Sequence, residues 1–271
     1  MLCDFHLHTH HSDGVIPPTR LLSLVRQAGV THFAVTDHDS LAGFAALRGA
    51  AGLVAGVEMT AGLDGREIHL VGLGIDADDQ TFQATLAAIR AIRLSRLAAL
   101  IARLPGTVAR GLTLDELCRE RENAAVEAFG RLHLAKALVR RGGVANIQAA
   151  FAAHLGDDHT VDAGLPPYPE PAVCCRAIRD AGGVAILAHP GVYASAARVE
   201  VLLACGCDGL ELDHPNLSAA LAAELRTLAE ARGLLTSSGS DLHFPGSRKP
   251  GAWSLPGGGH AALLARLGLA A

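Results

Sequence analysis

Seven short apolar runs are strung along this chain, at residues 2–6, 32–36, 53–57, 67–73, 184–188, 209–213 and 234–238. Helical patterns fill several of the gaps between them, at 18–28, 41–48, 172–181, 196–205 and 217–231. Runs this short and this apolar, alternating with helices, read as strands of a mainly parallel sheet buried on both faces. Right-handed crossovers then leave two architectures, an open doubly wound sheet or a closed barrel.

What stands at the exits of the runs chooses between them. The clusters are Asp4-Phe5-His6-Leu7-His8 with Asp13, Thr36-Asp37-His38-Asp39, Glu58, His69, Ala188-His189-Pro190 and Ser240-Asp241-Leu242-His243. One His-x-His pair says little, and any single histidine is read most simply as a core or surface residue. Six such clusters mean that separate strands aim imidazoles and carboxylates at one point, as a barrel does at the carboxyl ends of its strands. An open sheet would hold its first and last strands far apart, so convergence argues for closure.

His6 and His8, two apart at a strand end, point the same way and can chelate one ion, a spacing that Asp241 and His243 repeat. Gly14 permits the turn that swings Asp13 back over the mouth. Glu58 ends the third run, where its two oxygens suit a bridge between cations. Nitrogen and oxygen ligands without thiolate fit divalent Mn²⁺, Fe²⁺ or Zn²⁺. Neighbouring cations about 3.5–4 Å apart lower the pKa of a shared water and clamp a phosphoryl oxygen. His10 and His11 read as loop residues, and His32, His154, His159 and His260 have no supporting context.

Residues 76–171 break the alternation, with helical patterns at 80–104, 113–120, 124–141 and 146–155 and no convincing strand. They are expected to form an all-helical insertion domain after the fourth strand, with 1–75 and 172–271 forming the barrel. The proline-rich stretch 164–171 reads as a stiff, extended return. Arg90, Arg93 and Arg96 advance by three along one helix flank. They read either as a rail for the phosphates of a short nucleic acid or as a solvated helix face. The insertion has slightly more acids than bases, which favours the second reading, and the net charge of −4 argues against a broad grip on nucleic acid.

Six cysteines without a C-x-x-C pair read as buried free thiols of a reducing compartment. The amino terminus lacks a basic segment followed by an apolar one, and arginines interrupt the most apolar helical stretch. A soluble, cytoplasmic protein with no membrane partner is expected.

The motifs Asp4-Phe5-His6-Leu7-His8-Thr9, Ser12-Asp13-Gly14, Thr36-Asp37-His38-Asp39, Gly56-Val57-Glu58, His69, Ala188-His189-Pro190 and Gly239-Ser240-Asp241-Leu242-His243 together resemble the PHP (polymerase and histidinol phosphatase) family over the whole core. The resemblance implies a distorted (β/α)₇ barrel with a trinuclear divalent metal centre, two to three ions per chain and manganese foremost, that hydrolyses phosphate esters. It assigns His6, His8, Glu58 and Asp241 to one ion, Glu58, His69 and His189 to a second, and Asp13, His38 and His243 to a third. A metal-bridging hydroxide held by Glu58 and Asp241 would attack phosphorus.

The stretches Gly130-Arg131-Leu132-His133 and 181–190 resemble stand-alone family members that act on nucleoside 3′,5′-bisphosphates or degrade 5′-phosphorylated RNA from its 5′ end. In that branch the first stretch usually reads Gly-Arg-Pro-His, and the region matching 152–159 is basic where this chain is acidic. The resemblance makes Arg131 and His133 substrate contacts. His214, at the exit of the sixth run, is a further candidate for binding substrate or donating a proton to the leaving oxygen. The expected substrate is a small phosphate ester of nucleotide type, or a short RNA. A histidinol-phosphate or sugar-phosphate phosphatase is the alternative enzyme, and a non-catalytic metal-binding module the alternative of another class.

Overall fold

Each apolar run contributes a strand to one seven-stranded sheet whose order follows the sequence. The strands are β1 (Cys3–Asp4), β2 (His32–Val35), β3 (Leu53–Leu63), β4 (Arg66–Leu73), β5 (Val184–Leu187), β6 (Gly209–Asp213) and β7 (Leu235–Ser238). The computed structural model describes residues 1–120, 123–160, 164–193, 195–254 and 260–269. Beyond the named strands, Phe5 N–H donates to the Ser238 carbonyl (2.9 Å), Asp241 N–H to His6 (2.8 Å) and His8 N–H to Leu242 (3.1 Å). The chain leaving β1 thus lies beside the chain leaving β7.

The sheet is mainly parallel, as expected, with one strand reversed. β4 runs antiparallel to both β3 and β5, while the other four pairings are parallel. The cause is a tight hairpin. Asp64 and Gly65 have φ of 51° and 75°, the left-handed pair that a two-residue turn between twisted strands requires. β3 therefore runs six residues past the sequence-read limit at Val57, and Glu58 lies within a strand. His69 is the fourth residue of its strand, paired with Thr60, and reaches the same end of the sheet as Glu58 because β4 is reversed.

Period-two alternation sorts the side chains. On one face Cys3, Phe5, Ala34, Val54, Val71 and Ile186 pack with Leu263 and Leu264 of the helix Ala261–Arg266. On the opposite face Val57, Met59, Leu70, Leu187 and Leu210 meet the helices Pro171–Asp180, Ala196–Leu203 and Ala219–Arg232. Helices α1 (Pro18–Gln27) and α2 (Ala42–Ala46) lie near β1 and β2.

Between β4 and β5 the described residues form helices and connecting loops, with no strand among them. The principal helices are α3 (Gln80–Arg103), α4 (Gly106–Ala109), α5 (Leu114–Arg119) and α6 (Arg131–Arg140), and Ile147–Thr160 adds short turns. They have a core of their own around Leu97, Leu100, Leu117, Leu134 and Leu138. α3 serves both cores, since Phe82, Leu86 and Ile89 in its first half pack on the sheet.

The arginines of α3 fit neither sequence reading. Arg93 is buried, with Nε 2.5 Å from Asp39 Oδ2, and it also donates to Thr60 Oγ1. Arg90 donates to the Asp39 carbonyl at 2.6 Å, and Arg96 donates to the Pro166 carbonyl while its guanidinium lies over the Tyr168 ring. They fasten the helical segment to the strands and its return.

Candidate metal centre

Glu58 is the hub. Its side chain is 1% exposed, and five imidazoles surround its two oxygens. Oε2 faces His6 Nε2 (3.3 Å), His8 Nε2 (3.2 Å) and His38 Nδ1 (3.0 Å). Oε1 faces His69 Nδ1 (3.1 Å) and His189 Nε2 (3.0 Å). Asp13 lies on one flank, with Oδ1 3.1 Å from His243 Nε2 and Oδ2 3.6 Å from His38 Nε2. Asp241 lies on another, with Oδ1 3.3 Å from His243 Nδ1 and 3.5 Å from His8 Nε2. All nine sequence-read ligand candidates thus converge, although they come from both ends and the middle of the chain. His8 and His38 fall between the sets drawn from the sequence: His8 joins Asp13, His38 and His243, and His38 also joins Glu58 and His69.

The surroundings fix which ring nitrogen faces inward. His6 Nδ1 meets Glu211 Oε1 at 3.0 Å, and His69 Nε2 meets Glu67 Oε1 at 3.1 Å. His243 Nδ1 meets the Asp241 carbonyl at 3.1 Å. His8 Nδ1 meets Ser12 Oγ at 3.4 Å, and that hydroxyl gives its proton to Asp37. Each acceptor takes the ring N–H, so the opposite nitrogen turns a lone pair toward the centre. Lone pairs then confront one another where His6 Nε2 and His8 Nε2 are 3.1 Å apart. Such a contact repels unless a proton or cation lies between them. Asp13 Oδ1 and His38 Nδ1 are also buried without hydrogen-bond partners. The donor set fits divalent cations.

Burial and charge oppose each other here. Burial penalises the Glu58 carboxylate, yet His38, His6 and His69 hold its pKa well below the usual range. Burial likewise works to lower His69 and His243, but Glu58 holds the first up to about 10 and Asp13 the second up to about 9.

The flanking acids brace the site. Asp37 accepts from Thr9 N–H, Thr9 Oγ1 and Ser12 Oγ, and Asp39 accepts from Thr60 N–H and Oγ1, so His38 alone of its motif faces inward. Asp241 and His189 have φ of 50° and 32°, left-handed values that cost non-glycine residues energy and cluster at functional sites. Gly239 is a steric requirement, since a Cβ there would lie 2.3 Å from His6 Cβ and 2.5 Å from Glu211 Oε1.

The residues expected to touch substrate divide. Arg131 is the first residue of α6 and lines a cleft of about 520 Å³ that opens beside His69 and His189. It lies 3.3 Å from Glu67 Oε2 and 2.7 Å from Asp157 Oδ1. His133 has both ring nitrogens engaged, Nδ1 accepting from Gly130 N–H and Nε2 donating to the Ser12 carbonyl, and so ties α6 to the Asp13 loop. His214 Nδ1 accepts from Asn216 N–H, which leaves a proton on Nε2; that atom is buried, has no hydrogen-bond partner and lies 3.7 Å from Asp241 Oδ2. Burial pushes the His214 pKa down to about 4, so it meets the site as a neutral N–H donor.

Sequence reading missed Glu67, Glu211 and Arg248. Arg248 Nη1 donates to Asp241 Oδ2 at 2.7 Å, leaving Oδ1 for the centre. Glu211 has a sequence signal, an acid in the middle of an apolar run. Glu67 has one too, two residues before His69. Arg66, Ser195 and Arg198 also line the cleft.

No protein-family model matches the chain. Among curated proteins it is 32% identical over 260 residues to a 3′,5′-nucleoside bisphosphate phosphatase of Chromobacterium violaceum, covering 90% of this chain and 87% of that one. It is 33% identical over 259 residues to a 5′-3′ exoribonuclease of Haemophilus influenzae, covering 89% and 90%. A solved structure from Bifidobacterium adolescentis, assigned as a metal-dependent phosphoesterase, superposes with a TM-score of 0.82 at 28% identity, over 97% of this chain and 96% of that one. The fold is that of the metal-dependent phosphoesterases, and the chain is a hydrolase of phosphoric ester bonds. Within that class the chain belongs to the PHP family.

Proposed function

We propose that this enzyme hydrolyses the 3′-phosphate ester of nucleoside 3′,5′-bisphosphates, and that a short 5′-phosphorylated oligonucleotide is the larger form of the same substrate. In both, the bond cut is the 3′ ester of a nucleotide whose 5′-phosphate is recognised. The observation that carries the reading is the position of Arg131, in a nucleotide-sized cleft that opens directly from the His69–His189 side of the centre.

In this reading the sheet closes into a distorted (β/α)₇ barrel, formed by residues 1–75 and 172–271, and 76–171 is a helical insertion domain. Manganese is the favoured ion, at two to three per chain. His6, His8, Glu58 and Asp241 hold one ion, Glu58, His69 and His189 a second, and Asp13, His38 and His243 a third. When bound, such ions neutralise phosphoryl oxygens and make a nucleophile of water near neutral pH. Glu58 and Asp241 Oδ1 orient the attacking water. His214, whose pKa burial pushes down to about 4, is a neutral imidazole at neutral pH and donates its Nε2–H hydrogen bond to the reacting phosphate. Arg131 receives the 5′-phosphate, displacing the half-exposed Asp157.

The test is phosphate release from adenosine 3′,5′-bisphosphate with Mn²⁺, before and after Asp13→Ala, with histidinol phosphate and a 5′-phosphorylated RNA as parallel substrates. Release from the bisphosphate, lost in the variant, is expected. Turnover of histidinol phosphate alone would assign the sugar-phosphate or histidinol-phosphate branch. No turnover of any ester would assign a non-catalytic metal-binding module.

A further inference from the structure

Glu67 and His69 are two apart on β4, so their side chains leave the same face of the strand. Glu67 Oε1 accepts from His69 Nε2 at 3.1 Å, Oε2 lies 3.3 Å from Arg131 Nη2, and Arg93 Nη2 is 3.9 Å from Oε1. The carboxylate is 9% exposed. Each oxygen thus faces a different nitrogen, Oε1 that of His69 and Oε2 that of Arg131.

We propose that Glu67 is a positioning residue that couples the cleft to the metal centre, so that a phosphate on Arg131 and a cation on His69 strengthen each other. The proposal rests on the nucleotide reading above. Its chemistry follows from Glu67 having two oxygens and two demanding partners. A phosphate on Arg131 takes up part of the guanidinium charge, and Glu67 then draws more strongly on His69 Nε2–H. That raises the basicity of His69 Nδ1, the atom 3.1 Å from Glu58 Oε1. Linkage makes the effect reciprocal: a cation on His69 draws Glu67 toward the imidazole and frees Arg131 for phosphate. Selectivity for a 5′-phosphorylated substrate follows, because a 3′-monophosphate leaves Arg131 bound to Glu67. Glutamine can accept at one oxygen only, so it cannot satisfy both donors. Aspartate keeps the charge but is a methylene too short to span both.

The measurement is binding of adenosine 5′-monophosphate by calorimetry to metal-free and Mn²⁺-loaded protein, for wild type, Glu67→Gln and Glu67→Asp. Mn²⁺ should tighten binding by about ten-fold or more in wild type, in the 5–150-fold range of linked sites. It should tighten it little in either variant, and in an Arg131→Met background Glu67→Gln should change nothing further. Mn²⁺ affinity alone should fall about ten-fold in Glu67→Gln, as for other outer partners of ligating histidines. Thermal melting verifies that the variants are folded, and Glu67→Asp decides the matter if Glu67→Gln is not. Undiminished tightening in a folded variant overturns the role of Glu67 alone. Wild-type protein that binds no adenosine 5′-monophosphate overturns the nucleotide reading as well.

Discussion

Five imidazole nitrogens within 3.3 Å of one carboxylate make Glu58 the residue on which the rest of the centre depends. Replacing it with glutamine keeps the volume but removes the charge that lets the histidines crowd together. Glu58→Gln should fold less stably without metal and retain no tightly bound Mn²⁺ by elemental analysis; full metal content would refute the hub role. Gly239 offers a sharper steric test. A methyl group there would enter the space of His6 and Glu211, whereas Gly142, at a positive φ of 66°, has open space around its Cβ position. Gly239→Ala should lose Mn²⁺ and activity together, while Gly142→Ala should cost only backbone strain of about 1 kcal/mol or somewhat more. The nine ligand candidates are legible in the sequence because histidine and acid at strand exits are unusual and repeat six times. Glu211 and Glu67 leave a weaker signal, an acid in an apolar run, which gains meaning only once the run's facing is known.

At the scale of elements, the strands were readable as apolar runs, but the direction of β4 was not. Its reversal depends on two residues, Asp64 and Gly65, and a Leu-Asp-Gly-Arg turn stands out only once β3 is known to continue through Met59–Leu63, where small residues blur its pattern. The arginine row of α3 shows the opposite limit. Its spacing is plain, yet spacing does not say whether a helix flank faces water or Asp39. Arg93→Met should cost about 3–5 kcal/mol in urea unfolding, since it leaves Asp39 buried and unpaired. Arg48→Met, which breaks an exposed pair with Asp78, should leave the unfolding midpoint where it is. If Arg93→Met instead left stability intact and flattened the salt dependence of RNA binding, the rail reading would return.

For the whole molecule, the centre links stability, metal and pH. In the metal-free protein His69 and His243 have pKa values of about 10 and 9, against an ordinary imidazole near 6.5. A histidine whose pKa is raised by folding stabilises the fold fully below its unfolded value, and that contribution is lost as pH rises through the folded value. Stability of the metal-free protein from this source should therefore hold to about pH 6.5 and drain away toward pH 9–10. Cations need the same nitrogens without their protons, so loading releases protons and tightens as pH rises. The two trends oppose each other. Melting of chelated protein should move to lower temperature between pH 7 and 9.5, while the increment from a fixed excess of Mn²⁺ should grow over the same interval, because stabilisation by a ligand follows its affinity. Titration calorimetry in buffers of different ionisation enthalpy should show at least one proton released per chain at pH 7. A metal increment that shrinks with pH, or loading without proton release, would mean that His69 and His243 are not displaced by the ions.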